Sequence, residues 1–226
     1  MNPDEKNYKD TIDFWNDIFQ NSEKCFDYTE PFQITEIEEC LDWLVDENSS
    51  IVDFGCGNGK LLLRCLAEGA ERAVGIDISS EAIESAKRFA KDNNGLSQTS
   101  LVVGGVKELS KFENDEFDAG ILSNVIDNLL PEDSIQLLGE FNRIIKQGGK
   151  IFLKMNDYVD PSQLEEWNAK RIQDDFYKEE SGLYLWNLED EKVISLLGEH
   201  FEIDKMIDVE FKEHDQTNRL YYLRNR

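Results

Sequence analysis

The chain has 226 residues, of which 40% are hydrophobic, so it can form one domain with a substantial core and is too apolar for wholesale disorder. Asp and Glu number 48 against 24 Lys and Arg, and the formal net charge of −24 disfavours nucleic acid and anionic membrane surfaces as partners. No apolar run approaches the ~20 residues of a membrane span, and the first residues lack the pattern of a signal peptide. We therefore expect a cytoplasmic protein.

The first 46 residues predict two helices. Residues 1–30 are acidic with interspersed aromatic residues, and Phe14, Ile18 and Trp15 fall on one side of a short helix. A second helix is indicated by apolar residues at helical spacing, namely Ile34, Ile37, Leu41 and Leu44.

From residue 51 onward, short apolar runs alternate with segments of helical periodicity. The five predicted strands are Ile51–Phe54, Ala73–Asp77, Leu101–Val103, Phe117–Ser123 and Lys150–Met155. This alternation is typical of parallel strands covered by helices on both faces.

A polar segment, residues 156–190, interrupts the alternation. A helix over Glu191–His200 follows, and then two strands, Phe201–Phe211 and Arg219–Arg224, which a short connection pairs antiparallel. The sequence thus predicts an α/β fold, a doubly wound and mostly parallel sheet with a terminal antiparallel strand.

The sequence contains few residues of the types that bind metal ions such as zinc. The residues concerned are four cysteines (Cys25, Cys40, Cys56 and Cys65) and two histidines (His200 and His214). None forms a Cys-x-x-Cys pair, so we expect idle or buried thiols and no metal site.

A glycine-rich loop follows the first strand, with the pattern Asp53-x-Gly55-x-Gly57-x-Gly59. Glycines there let the backbone approach a ligand, and the next helix presents its positive dipole end. Lys60 stands where the dinucleotide fingerprint requires glycine or alanine, and Leu61 stands where a P-loop requires Ser or Thr. Nicotinamide oxidoreductases are therefore disfavoured.

This loop and the segments after it resemble the class I S-adenosylmethionine (SAM)-dependent methyltransferases. The matching segments are residues 51–59, 74–78, 116–125, 141–150 and 218–224. The resemblance covers residues 50–155 and 190–226. It implies a seven-stranded Rossmann-like fold, SAM as the cofactor, methyl transfer as the activity and residues 218–224 as an inserted seventh strand.

The resemblance also implies roles for the residues around the loop. Asp77 would accept hydrogen bonds from both ribose hydroxyls, although it can alternatively cap the helix begun at Ser79, and Ile78 would press against the adenine ring. The amino-acid end of SAM would lie against the backbone of Gly55–Gly59, which includes Cys56, and against the carboxylate of Asp53, unless Asp53 only anchors the loop.

Further cofactor contacts are implied at the ends of two other strands. Ser123 and Asn124 would line the path of the methionine moiety. Gly105 and Val106 follow the third strand, where the family reads the adenine edge; since Gly105 replaces the usual acid, only the backbone contact is expected. The family's Glu-His pair after the fourth strand is Asp127-Asn128 here, which leaves Asp127 as the candidate general base, or else as a solvated helix residue.

Acceptor recognition is expected from the segments that the family does not share. Their aromatic residues are candidates for a lid (Tyr8, Phe14, Trp15 and Tyr28) and for a pocket wall (Phe176, Tyr177, Tyr184 and Trp186), or else for helix packing or a dimer contact. We expect a small neutral or cationic acceptor. A SAM-binding regulatory or assembly protein without turnover and a protein methyltransferase stay as alternatives.

The predicted organisation is a single domain. Its parts are a helical cover (1–46), a SAM-binding core (50–155), a substrate-side insertion (156–190) and a last helix with two strands (191–226).

Overall fold

The structure, a computed structural model, describes residues 7–21, 27–93, 95–211 and 216–226. Cys25 and His214 lie outside these residues. Among the described residues, no helix combines the length and apolar character needed to cross a lipid bilayer. The expected cytoplasmic location stays a prediction.

A seven-stranded sheet forms the centre of the fold. Its strands are β1 (Ser50–Phe54), β2 (Arg72–Asp77), β3 (Thr99–Val103), β4 (Phe117–Ser123), β5 (Ile145–Asn156), β9 (Phe201–Phe211) and β10 (Gln216–Asn225). They lie in the order β3-β2-β1-β4-β5-β10-β9, with β1 to β5 parallel and β10 antiparallel to both of its neighbours. The predicted doubly wound sheet with its inserted last strand is confirmed.

Helices cover both faces of this sheet. The α-helices of the described residues are α1 (Lys9–Gln20), α2 (Thr35–Leu44), α3 (Lys60–Ala67), α4 (Ser80–Asp92), α5 (Pro131–Ile144), α6 (Pro161–Glu166) and α7 (Asp190–Leu197), of which α2 to α4, α5 and α7 pack on the sheet. Successive strand residues alternate between two core clusters: Ile51 packs with α2, α3 and α4, and Val52 packs with α5 and α7. Burial on both faces explains why the strands are short, continuous apolar runs.

The chain order creates a crevice at one edge of the sheet. From β1 the chain winds outward through β2 and β3 and returns to place β4 on the other side of β1. Loops that leave the carboxyl ends of β1 and β4 therefore run in opposite directions, which opens the ligand crevice typical of doubly wound sheets.

The insertion contains a structure that the sequence did not predict. After α6, three short strands form a separate antiparallel sheet, β6 (Lys170–Gln173), β7 (Phe176–Lys178) and β8 (Tyr184–Trp186). Arg219, almost fully buried, donates to the carbonyls of Asn156 and Leu188 and pairs with Asp190, and thereby joins β10 to both ends of this segment.

Candidate functional site

A cavity lies at the crevice and is covered by α1. Its β1–β3 side is lined by Phe54, Gly55, Gly57, Asp77, Ile78, Gly104, Gly105, Val106 and Lys107. The β4 and α5 side contributes Ser123, Asn124, Val125, Asn128, Leu129, Asp133 and Gln136, and α1 with the residue before it contributes Tyr8, Thr11, Trp15 and Phe19.

The glycine loop has a backbone that other residues could not adopt without strain. Gly55, Gly57 and Gly59 have φ angles of 73°, 54° and 79°, in the left-handed region. A Cβ on Gly55 would lie 2.3 Å from Cγ2 of Val125. The loop thus forms a tight cradle at the amino end of α3.

Asp77 connects this loop to α4. Its Oδ2 accepts a 2.8 Å hydrogen bond from the N–H of Gly57, and its Oδ1 accepts one of 2.8 Å from the N–H of Ser79. Burial raises the pKa of Asp77 to about 6, against the opposing effect of these N–H donors. A carboxylate has about four acceptor positions, so Asp77 can cap the loop and still bind two ligand hydroxyls.

Asp53, Cys56 and Gly59, which were predicted to contact the cofactor, are not among the residues that line the cavity. Asp53 is 1% exposed, and its Oδ1 has no hydrogen-bond partner among the described residues. Burial, together with the charge of Asp77, raises its pKa well above the usual range. The Cys56 thiol is also buried, as are those of Cys40 and Cys65, and the N–H of Cys56 donates to the carbonyl of Ile76. A direct contact of Asp53 with a ligand stays a prediction that this placement does not support.

The other residues predicted to contact the cofactor line the cavity: Ile78, Gly105, Val106, Ser123 and Asn124. Asn124 has a φ of 54°, and its buried Oδ1 lacks a hydrogen-bond partner among the described residues. A buried amide oxygen without a donor is costly, which points to a ligand or water donor at this place.

Asp127, the candidate general base, is 1% exposed and does not line the cavity. Its Oδ2 accepts a 2.8 Å hydrogen bond from the N–H of Asn156, and its backbone carbonyl accepts one of 2.7 Å from Trp186. Burial raises its pKa. These bonds join the loop after β4 to β5 and to the insertion, which supports a structural role for Asp127. Catalysis by Asp127 stays a prediction that its position does not support.

Of the predicted lid residues, Tyr8 and Trp15 line the cavity. Phe14 packs edge-on against Trp15, with 5.1 Å between ring centres. Tyr28 lies elsewhere, in the core cluster of α2 to α4, where its hydroxyl donates to the carbonyl of Asn93. Ile18, which the spacing places on the same side of α1 as Phe14, is 45% exposed.

The four aromatic residues of the insertion do not line the cavity. Phe176 stacks on Tyr184, Tyr177 packs with α6, and Trp186 packs against the core cluster of α5 and α7. Tyr184 also contacts the ring of Tyr8 edge-on, with 5.9 Å between centres. Of these four residues, Tyr184 thus supports a residue of the cavity wall, and a direct substrate contact of any of them stays a prediction.

Sequence reasoning missed several lining residues on α1 and α5. The missed residues are Thr11, Phe19, Asn128, Leu129, Asp133 and Gln136. Thr11, Trp15 and Phe19 follow an i, i+4 spacing, which is a signal that the sequence contains. Asp133 lies in the first turn of α5, where a carboxylate ordinarily needs no explanation beyond the helix dipole.

Comparison with known proteins supports the fold, and it matches the central part of the chain to a methyltransferase family model. Residues 51–149 match the family model described as "Methyltransferase domain". The matched segment covers less than half of the chain, and it agrees with the resemblance to the class I SAM-dependent methyltransferases. The ribosomal protein L11 methyltransferase of Shewanella sp. (strain ANA-3) is 34% identical over 117 residues, which cover 50% of this chain and 37% of that protein. The chain thus matches little more than a third of the length of that relative.

Solved structures resemble the chain over most of its length. The PH0226 protein from Pyrococcus horikoshii OT3 has a TM-score of 0.71 at 21% identity and covers 93% of this chain and 99% of its own. Geranyl diphosphate C-methyltransferase from Streptomyces coelicolor A3(2), solved with Mg2+, geranyl diphosphate and S-adenosyl-L-homocysteine (SAH), has a TM-score of 0.72 at 12% identity and covers all of both chains. At these identities the likeness establishes the fold alone.

Proposed function

We propose that this protein is a SAM-dependent methyltransferase that acts on a small-molecule acceptor. The observation that carries the proposal is the cavity itself, in which a strained glycine cradle and a buried carboxylate meet under α1. The family match over residues 51–149 supports the same activity.

The residues around the cavity fit SAM. The cradle at Gly55 and Gly57 admits a ligand close to the backbone, since side chains are excluded there by φ and by Val125. Asp77 has acceptor positions left for ribose hydroxyls, and Asn124 Oδ1 is an acceptor without a donor among the described residues. Ile78 and Val106 supply the apolar contact that an adenine ring requires.

When bound, SAM supplies a methyl group on a sulfonium, and the transfer is an in-line displacement. The chain's own contribution is therefore to bind, orient and exclude water. The titratable side chains that line the cavity among the described residues are Tyr8, Asp77, Lys107 and Asp133. Asp127 is buried behind the cavity wall. We therefore infer that the positioning of the acceptor against SAM, and not a general base such as histidine or Asp127, accounts for most of the rate of methyl transfer.

The covered cavity favours a small acceptor over a macromolecule. The segment from Tyr8 to Phe19 closes one side, and Lys178 of the insertion pairs with Asp10 at 2.7 Å, which holds the insertion against α1. The net charge of −24 adds repulsion against RNA and DNA. The matched ribosomal protein L11 methyltransferases are named for a protein acceptor, so a protein substrate is the alternative that the experiment must separate.

The test measures methyl transfer from radiolabelled SAM to a metabolite pool, a protein pool and an RNA pool, at low and at physiological salt. We expect label in the metabolite pool. The Asp77→Ala variant should lose this label, and the control Asp92→Ala, at the exposed end of α4, should retain it. Label confined to the protein pool would replace the small-molecule acceptor by a protein, and label in no pool would favour a SAM-binding protein without turnover.

A further inference from the structure

One carboxylate stands on the acceptor side of the cavity. Asp77, Ile78 and Val106 lie on the β2 and β3 side of β1, so the adenosine part of SAM is expected there. Asp133 lies on α5, beyond β4 and on the opposite side of the glycine loop. A molecule that takes up the methyl group from that side therefore meets Asp133.

Tyr8 fixes the orientation of this carboxylate. Its hydroxyl accepts a 2.8 Å hydrogen bond from the N–H of Leu130 and donates one of 2.6 Å to Asp133 Oδ2. Burial, with the bond to Asp133, raises the pKa of Tyr8, so the tyrosine keeps its proton and stays a donor. A carboxylate has about four acceptor positions, so Asp133 can accept a ligand donor in addition to the Tyr8 hydroxyl.

Among the described residues that line the cavity, no cation lies on the same side as Asp133. Of the described residues that line the cavity, Lys107 alone is cationic, and it follows β3 on the cofactor side. Asp133 lies in the first turn of α5, where the helix dipole belongs to the backbone and is no counterion that a ligand would have to displace. An anionic acceptor would be repelled from this part of the cavity, and a cationic one attracted.

Aromatic and apolar surfaces complete the acceptor side. Trp15 and Phe19 stack on each other with 5.8 Å between ring centres, and both line the cavity with Leu129. Aromatic faces attract cations as well as apolar bodies. The other polar side chains that β4, its loop and α5 contribute, among the described residues, are neutral: Ser123, Asn124, Asn128 and Gln136.

We propose that the acceptor is a small organic amine, whose protonated nitrogen pairs with Asp133 and whose apolar body lies against Trp15 and Leu129. This inference rests on the proposed function, since it names the substrate class of the same cavity.

The protonated nitrogen is not the atom that is methylated, because it has no lone pair. A second nitrogen or oxygen of the acceptor attacks instead: its lone pair forms the bond to the methyl carbon, and the electron pair of the broken sulfur–methyl bond stays on sulfur. Sulfur becomes neutral, and the methylated atom releases its proton to solvent. Asp133 and Tyr8 are positioning residues in this scheme.

The experiment measures binding to the SAH-loaded protein by calorimetry, with three probes that share one ring system: tryptamine, 3-methylindole and indole-3-propionate. We expect tryptamine to bind at least tenfold more tightly than either of the others. Asp133→Asn should abolish this preference without changing SAH affinity, and Tyr8→Phe should reduce it. Glu132→Gln, at the exposed neighbouring position, should leave it intact.

The readouts separate the inference from the proposed function. SAH binding without a preference for tryptamine, or a preference that survives in Asp133→Asn, overturns the amine assignment alone. Absence of SAH binding to the wild-type protein overturns the proposed function and the inference with it. Thermal unfolding of each unliganded variant shows whether it is folded. If Asp133→Asn does not fold, the test uses Tyr8→Phe, and an unchanged preference for tryptamine in that variant overturns the assignment.

Discussion

The side-chain oxygen of Asn16 accepts a 2.7 Å hydrogen bond from the hydroxyl of Ser79. The same hydroxyl accepts a bond from the N–H of Ala82 and so caps α4, while the backbone N–H of Ser79 donates to Asp77. A connected series of hydrogen bonds therefore runs from the covering helix α1, through the cap of α4, to the carboxylate assigned to the ribose. The covering helix and the proposed cofactor site are thus connected through Asn16, Ser79 and Asp77.

Asp77→Ala should weaken SAH binding strongly. The substitution removes the acceptor of charge-assisted hydrogen bonds, each worth about 1.5–3 kcal/mol, and one such bond corresponds to roughly a tenfold or larger loss of affinity. It also removes the bond that holds the N–H of Gly57. Calorimetry with SAH checks this, with Asp92→Ala as the exposed control. Equal affinities for the two variants would exclude Asp77 as a ribose ligand.

SAH affinity should fall as the pH is lowered from 7 to 5. Burial raises the pKa of Asp77 to about 6, and ribose hydroxyls donate to the ionised form, so binding should release protons near pH 6. The stability of the unliganded fold should change with pH in the opposite direction. The pKa of Asp77 in the folded protein exceeds the usual value of 3.8, so the ionised carboxylate lowers the free energy of unfolding above pH 6. This destabilisation decreases as the pH falls and is absent below pH 3.8.

Calorimetry in two buffers of different ionisation heat measures the protons released. Asp53 also has a raised pKa, so Asp77→Asn, which retains Asp53, is the control and should show no drop in affinity between pH 7 and pH 5. A drop of the same size in Asp77→Asn would assign the effect to another group.

The centre of the sheet was predictable because β1, β2 and β4 are buried on both faces and are continuous apolar runs, as in Ile51–Phe54. The insertion was not, since β6 is exposed along its whole length and β7 and β8 have three residues each, too short for a periodic pattern. The cavity wall on α1 was missed in part because Phe14 and Ile18 are as apolar as Trp15 and Phe19, and only tertiary packing decides which face turns inward.

Two glycine substitutions should change stability in opposite directions. Gly55→Ala introduces a Cβ at a φ of 73° and 2.3 Å from Val125, so we expect a loss of at least about 1–2 kcal/mol in the free energy of unfolding. Gly139→Ala, inside α5, places its Cβ in open space and should add about 0.5–1 kcal/mol. Urea denaturation measures both, and a Gly55→Ala protein as stable as the wild type would contradict the strained cradle.

The covering helix should be separable from the fold. Deleting residues 1–30, the first part of the segment (1–46) that the sequence indicated as a cover, would remove Tyr28, which is buried in the core cluster and bound to Asn93. A cut after residue 21 removes α1 and leaves Tyr28 in place. We expect this shorter protein to fold, because the seven-stranded sheet and both core clusters are built without α1.

The truncated protein should bind SAH more weakly and transfer methyl groups more slowly, since α1 supplies Trp15 and Phe19 to the cavity and Asn16 to the bond with Ser79. Asn16→Ala removes one neutral hydrogen bond, worth about 0.5–1.5 kcal/mol, and should shift SAH affinity in the same direction by roughly two- to tenfold. Deletion of residues 1–6 retains α1 and serves as the control. Circular dichroism shows whether the truncated chain folds, and failure to fold would show that α1 is part of the core. A folded truncated chain with unchanged SAH affinity and turnover would show that α1 has no effect on the site.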